Sequence, residues 1–398
     1  MPVDPPGLTF PFRGDHPTAP PPEYAKLREH GPARATLPNG HRVWLITRHD
    51  DVRAVFADPR FSRAAITAPD APKLLPVSTG SKSLFVLDPP EHTRVRKLVA
   101  AAFTTRRLEH LRPRVAELAD GMADRLVAEG PGADLIAHLA EPLPITVICE
   151  LLGVPSQDRT VFRDWTEIML SFTAHTPAEI GAAVRSLRGY LSALVEAKRE
   201  EPDDGLLTVL IRARDEDDLL STDELLSFGQ TMLVAGYHAT AAEIVHAVLN
   251  LAARPDEVER LRQDPASIPT AVEELLRYSQ AGGGVGPVRI ATEDVDVGGV
   301  RIAAGDAVLP SINAANRDEL VFTDAEELDL TRAHNPHVAF GHGIHHCLGA
   351  HLGRVELQVV LETLLRRLGA FRPALPAEDL VWRTGTAFAR PQTLPLTW

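Results

Sequence analysis

Apolar positions recur at helical spacing along most of the chain, with strand-like alternation confined to short stretches. The pattern predicts a short helix from Glu23 to His30, a strand in HRVWLITR (41–48), and a helix in HDDVRAVFADP (49–59) that stops at Pro59. Residues 64–84, with Pro69, Pro72 and Pro76, read as a loop; in DPPEHTRVRKLVAAAFT (88–104) two prolines precede a helix. From Arg107 to about Ala253 the pattern is almost wholly helical, broken at Pro131, Pro155, Pro177 and Pro202. Its longest segment opens with the capping box Ser221–Glu224 and stops at Pro255. About 33 residues there predict one rod of roughly 50 Å. The middle of that rod, MLVAGYHATAAEIV, is apolar nearly all round and belongs in the interior. A further helix spans Thr270–Tyr278, Val288–Leu309 alternates as short strands around Gly298–Gly299, and the chain from Val381 is extended and turn-rich. The expectation is one mainly helical domain over residues 1–398, with a small β-rich part and a proline-rich N-terminal arm over 1–22.

Composition narrows the partners. The chain has 54 acidic against 41 basic residues, a net charge of −13 that disfavours nucleic acid. Two cysteines in 398 residues exclude a disulfide scaffold and fit a reducing, cytoplasmic compartment. Cys149 lies in the apolar helical run PITVICELLG and reads as core. The N-terminal arm lacks an apolar run near the ~20 residues a membrane span requires, so no membrane association is expected.

Cys347 is different. It sits in FGHGIHHCLG (340–349), at the mouth of the apolar helix pattern AHLGRVELQVVLETLLRRL. Unpaired N–H groups at a helix start favour a thiolate, and Gly341, Gly343 and Gly349 let the backbone approach a large flat ligand. Zinc would need four convergent ligands, which the adjacent His342, His345, His346 and Cys347 cannot supply. A thiolate aimed from such a loop suits haem iron.

The run Phe340-Gly341-x-Gly343-x-His345-x-Cys347-x-Gly349 resembles the haem-binding signature of the cytochrome P450 superfamily, and the likeness extends from roughly Thr47 to the end. It implies the mainly α P450 fold, a helical triangular prism with a small β-rich region. It also implies haem b (iron protoporphyrin IX) with Cys347 as metal ligand, in the manner of a short bacterial, actinomycete-type member that tailors secondary metabolites. By the same resemblance His92 and Arg96 in DPPEHTRVR, Arg289 in PVRIA, and His345 hold haem propionates, where charge-assisted bonds are strong. EELLR resembles the family's Glu-x-x-Arg helix, so Glu274 and Arg277 form a buried structural pair, completed by Arg332 or His337.

At the centre of the long helix the family usually shows Ala/Gly-Gly-x-acid-Thr. Here the run is Ala235-Gly236-Tyr237-His238-Ala239-Thr240. Gly236 fits, leaving space for dioxygen. His238 replaces the acid and Ala239 the threonine, which removes a hydroxyl from the usual proton relay. Thr240 lies about 100° further round and does not substitute directly. Two readings stay open. In one, protons reach the site through His238, whose ordinary pKa is near neutrality, or through a substrate hydroxyl and ordered water. In the other, the enzyme couples substrate radicals into a C–C, C–O or C–N bond without inserting oxygen. A third and lesser possibility is a non-catalytic, haem-binding or accessory relative.

The resemblance assigns the substrate pocket to Phe85, Val86 and Phe172, to Val234 and Ala235 on the long helix, and to Gly284, Val285 and Phe388. With aromatics at 5%, the pocket is expected to be aliphatic. Lys97, Arg106, Arg107, Arg112 and Arg114 form a candidate positive patch for an acidic electron donor. The chain carries no flavin or nicotinamide fingerprint, so electrons are expected from ferredoxin and ferredoxin reductase. The substrate is a small molecule, free or on a carrier protein.

Overall fold

The computed structural model describes residues 7–12, 14, 16–72, 82–100, 103–215, 219–282 and 286–398. In chain order the first helices are α1 (Glu23–His30), α2 (His49–Ala57), α3 (Glu91–Ala100), α4 (Thr105–Glu109), α5 (Arg112–Glu129), α6 (Pro142–Leu152), α7 (Arg159–Met169) and α8 (Pro177–Glu200). They are followed by α9 (Leu206–Asp215), α10 (Thr222–Ala235), α11 (His238–Ala252), α12 (Pro255–Gln263), α13 (Ile268–Tyr278), α14 (Ile312–Ala315) and α15 (Ala350–Leu368). The strands are β1 (Ala33–Thr36), β2 (Arg42–Ile46), β3 (Phe61–Ser62), β4 (Arg289–Ala291), β5 (Val295–Val297), β6 (Val300–Ile302), β7 (Ala307–Pro310), β8 (Arg372–Pro373) and β9 (Leu396–Thr397). The fold is mainly helical with small sheets, as expected.

The chain divides into two compact units, residues 1–74 with 246–350, and residues 75–245 with 351–398. The first holds a five-stranded sheet of order β1-β2-β7-β4-β3, in which only β2 and β7 run parallel. Strand β2 shows why RVWLI is apolar at successive positions. Alternate side chains point to opposite faces, and both faces are covered. Val43 and Leu45 join a core with Phe10, Tyr24 and Leu27, while Trp44 and Ile46 join one with Val52, Phe56 and Ile302. A separate hairpin pairs β5 with β6 through Gly298 and Gly299, the predicted turn.

The second unit is built from helices. Leu126, Leu143, Phe162, Leu187, Leu225 and Leu233 are fully buried in it, and β8 pairs with β9 near the C-terminus. The N-cap read from sequence holds, and the structure adds a second. Ser221 and Glu224 bond each other's backbone at the start of α10, and Thr176 and Glu179 do the same at α8.

The long rod is not continuous. It breaks at Gly236–Tyr237 into α10 and α11, where an uninterrupted helix was expected. Packing at the break requires a glycine. A Cβ on Gly236 would meet Ile148 Cγ1 at 2.6 Å and the carbonyl of Met232 at 2.5 Å, so α6 presses directly against the backbone there. Thr222–Ala252 is the one described helical stretch long and apolar enough to cross a membrane, and most of its apolar window is buried.

Candidate functional site

The cysteine loop belongs to the first unit. Gly341 and Gly343 adopt left-handed φ of 72° and 71°, which a side chain would strain, so the tight turns read from sequence are present. A Cβ on Gly343 would also meet the carbonyl of Phe56 at 2.5 Å, so the loop lies flush on the end of α2. The Cys347 N–H donates to Phe340 O at 2.9 Å and that of Ala350 to Cys347 O at 3.4 Å. These bonds lead from the thiol into α15. Cys347 is exposed, whereas Cys149 is buried and burial pushes its thiol up to about 12. Gly349 has open space where a side chain would stand.

Below the loop in sequence, Glu274 and Arg277 are both 0% exposed. The guanidinium forms a bidentate pair, Nε to Oε2 at 2.8 Å and Nη2 to Oε1 at 2.7 Å. Its remaining donors reach the carbonyls of Asn316 (2.8 Å), Ala325 (2.7 Å) and Glu327 (2.8 Å). Glu274 in turn accepts from Arg332 Nε (3.0 Å), Asn335 Nδ2 (3.0 Å) and the Asp329 N–H (2.9 Å). The choice left open by sequence thus falls to Arg332. His337 pairs instead with Glu273 at 3.0 Å. Such a pair is tolerated in the core because every charge is hydrogen-bonded, and it ties α13 to the chain leading into the cysteine loop. Arg289 is 2% exposed; its Nη1 donates to Phe61 O at 3.3 Å and its guanidinium stands 5.2 Å over Phe56.

In the second unit His92 is buried on α3, with Arg96 half-buried one turn on. Of the pocket candidates, Val86 and Val234 are buried, Phe85 is exposed, and Ala235, Phe172 and Phe388 are half-buried. The fold brings two of these segments together. Phe172 N–H donates to Gly385 O at 2.7 Å and Ala387 N–H to Leu170 O at 2.8 Å, so 170–173 lies along 385–387. Gly284 and Val285 lie outside the described residues.

Where a Cβ on Gly236 would stand, Ile148 packs on the backbone, on the side of α6. Two expectations change. His238 does not titrate near neutrality: burial and the nearby Arg390 and Arg383 hold its pKa well below the ordinary histidine value. Its Nε2 lies 3.0 Å from Thr166 Oγ1, which also contacts Tyr237 OH at 3.0 Å and donates to Arg163 O at 2.9 Å. A neutral ring pinned to α7 is a poor proton shuttle. Finally, Arg112 pairs with Glu109 (3.0 Å), and Arg114 with Glu117 (2.7 Å) and Glu150 (2.9 Å), so the positive patch shrinks to Lys97, Arg106 and Arg107, which are exposed. Thr166 escaped the sequence reading because a threonine inside an amphipathic helix carries no motif. Its partner Tyr237 was visible only as part of an apolar run.

The donor set tests what cofactor fits. Among the described residues no three His, Cys, Asp or Glu side chains converge to hold a metal ion. A single exposed thiol on a glycine-framed loop therefore suits an iron that arrives with its equatorial nitrogens already in place, which is haem. The class so defined is the haem-thiolate oxidoreductases.

The comparisons agree. The "Cytochrome P450" family model matches residues 145–379, and the chain belongs to that family. It is 49% identical over 379 residues to nocardicin C N-oxygenase of Nocardia uniformis subsp. tsuyamanensis, covering 95% of each chain. It is 44% identical to mycinamicin IV hydroxylase/epoxidase of Micromonospora griseorubida, covering 98% of each. A crystal structure of HinD with NMFT and NO superposes with a TM-score of 0.95 at 44% identity, covering 99% of this chain and all of that one. This protein is accordingly a P450 monooxygenase with haem b as cofactor, acting on a small molecule with redox partners.

Proposed function

We propose that the enzyme hydroxylates a bulky, hydroxyl-bearing secondary metabolite, and that Cys347 is the axial thiolate. Identity of 44–49% over at least 95% of the chain to oxygenases named for nocardicin and mycinamicin carries the substrate class. Arg289, His345, His92 and Arg96 are the candidate partners of the haem propionates. The bound haem supplies dioxygen activation driven by two electrons and two protons. Electrons come from a ferredoxin and its reductase in the cytoplasm, with Lys97, Arg106 and Arg107 as the basic contact.

Proton supply is where this chain departs from the usual arrangement. Ala239 has no hydroxyl, and His238 is neutral and engaged with Thr166. That leaves a substrate hydroxyl with ordered water as the source, one of the two routes open from sequence. The second reading is oxidative coupling of substrate radicals, which inserts no oxygen.

An optical titration of the ferric protein with macrolides, cyclic dipeptides, polyphenols and carrier-bound aminoacyl groups tests the substrate class. A low-to-high-spin shift with one free class is expected; a response to carrier-bound groups alone points to a tethered substrate, and to none contradicts the class. Labelled dioxygen then separates the two reactions, because the label enters a hydroxylated product and is absent from a coupled one. Ala239→Thr is expected to leave coupled turnover unchanged or lower. A large gain would contradict substrate-assisted proton supply.

A further inference from the structure

A second buried arginine stands beside Arg289. Strands β3 and β4 run antiparallel with Phe61 opposite Ala291 and Ser62 opposite Ile290, and the Thr292 N–H donates to Arg60 O at 2.8 Å. One further step of that register sets Arg63 opposite Arg289. Alternation along the strands puts this pair on the face of Phe61 and Ala291, the face that shares a core with Phe56. Neither arginine carries its charge out to solvent, as long basic side chains usually do: Arg63 is 4% exposed and Arg289 2%. Arg63 is also where the chain turns out of β3, with φ −90° and ψ −34°, into the short turn Ala64–Thr67.

Directly opposed side chains of an antiparallel pair have Cβ atoms about 5 Å apart, and like charges so placed repel. Burial sharpens the repulsion, because the surroundings screen it less than water would. Contacts with neutral groups leave it in place. Arg289 Nη1 donates to Phe61 O at 3.3 Å and its guanidinium covers the Phe56 ring at 5.2 Å, and neither contact carries a charge. A carboxylate that reaches both guanidiniums converts the repulsion into charge-assisted, fork-like bonds. Phe56 shows which carboxylate is at hand. Its ring lies under Arg289, and its carbonyl meets the Cys347 loop, 2.5 Å from where a Cβ on Gly343 would stand. The strand end that carries the two arginines and the thiolate loop therefore pack on one residue of α2, within the first unit.

We propose that Arg63 is a further cofactor-binding residue, holding one haem propionate jointly with Arg289. The inference rests on the haem-thiolate reading above and adds a cation that lies outside the segments supplying the other four.

The test follows haem loss to excess apomyoglobin at the Soret band, from protein loaded with native haem and from protein loaded with haem whose propionates are methyl esters. Arg63→Gln is expected to speed the loss of native haem about tenfold, the cost of one charge-assisted hydrogen bond. It is expected to leave the loss of the diester haem unchanged, since an ester offers no charge to hold. Arg60→Gln removes an exposed arginine three residues away, paired with Asp58 at 2.6 Å, and should match the wild type with both haems. If Arg63→Gln does not fold, Arg63→Lys carries the test: it keeps the charge and loses the fork, so a smaller acceleration confined to native haem is expected. Unaccelerated loss of native haem overturns the proposal. So does an equal acceleration with both haems, which would mean that Arg63 acts through the fold alone. The red-shifted carbonyl spectrum of the reduced wild type is recorded alongside. Its absence would overturn Cys347 ligation and this assignment with it, and its presence with no effect at Arg63 would count against this assignment alone.

Discussion

Ile148 occupies the space that a side chain at position 236 would need, with its Cγ1 2.6 Å from where a Cβ on Gly236 would stand. Helix α6 therefore packs directly on the backbone at the break between α10 and α11. Gly236 itself has ordinary helical backbone angles, φ −76° and ψ −15°, so close packing and not conformational freedom requires the glycine.

Gly236→Ala is expected to destabilise the protein by about 1–3 kcal/mol through overpacking. Shortening the neighbour should relieve it, so Ile148→Ala combined with Gly236→Ala should cost less than the sum of the two single changes. Urea denaturation of the four proteins checks this. Additive costs would mean that the two residues do not press on each other.

Glu274→Gln leaves Arg277 and Arg332 buried without the carboxylate that both pair with. Breaking one partner of a buried pair costs about 3–5 kcal/mol. The variant is expected to unfold at lower urea concentration and to lose haem on gel filtration, because the network anchors the segment that leads to Phe340. Equal stability and haem content to the wild type would show that the pair is dispensable.

Glu356 lies on α15 at 1% exposure, and no group among the described residues bonds its Oε2. Burial pushes its pKa up to about 8, so it is folded as the neutral acid. The unfolded chain ionises it from about pH 4.5 upward, binding fewer protons than the folded state until about pH 8. Stability from this group is thus full at acid pH and falls as pH rises through that window, by roughly 1.4 kcal/mol per pH unit. Glu356→Gln should remove that part of the slope. The difference in unfolding free energy between variant and wild type, measured from pH 5 to 8, is the readout, and a flat difference contradicts the assignment.

Thr166 contacts the carbonyl of Arg163, Tyr237 and His238 through one oxygen. Thr166→Val keeps the shape and removes all three bonds, at an expected cost of about 1–3 kcal/mol. Tyr237→Phe removes one of these and the bond from Tyr237 to Arg163 O, and should cost about 1 kcal/mol. A valine variant no less stable than the phenylalanine variant, compared by thermal unfolding, would show that the node contributes little.

Much of this protein is legible in its sequence, for a local reason. Helix spacing, caps such as Ser221–Glu224, and the Gly298–Gly299 turn act over a few residues, and those elements stand where the pattern put them. The glycines of the Cys347 loop and the Glu274–Arg277 spacing carried the family and its cofactor in the same way, since backbone reach and helix-face pairing are short-range properties. The tertiary structure decided the rest. Only the tertiary structure shows that the rod breaks at Gly236–Tyr237 and that α6 packs on the glycine there. Only burial beside Arg383 and Arg390 could hold His238 neutral, because the field of charges 145 and more residues away in the chain has no trace in the run around it. The same long-range assembly chose Arg332 over His337, and brought Thr166 to Tyr237 and His238.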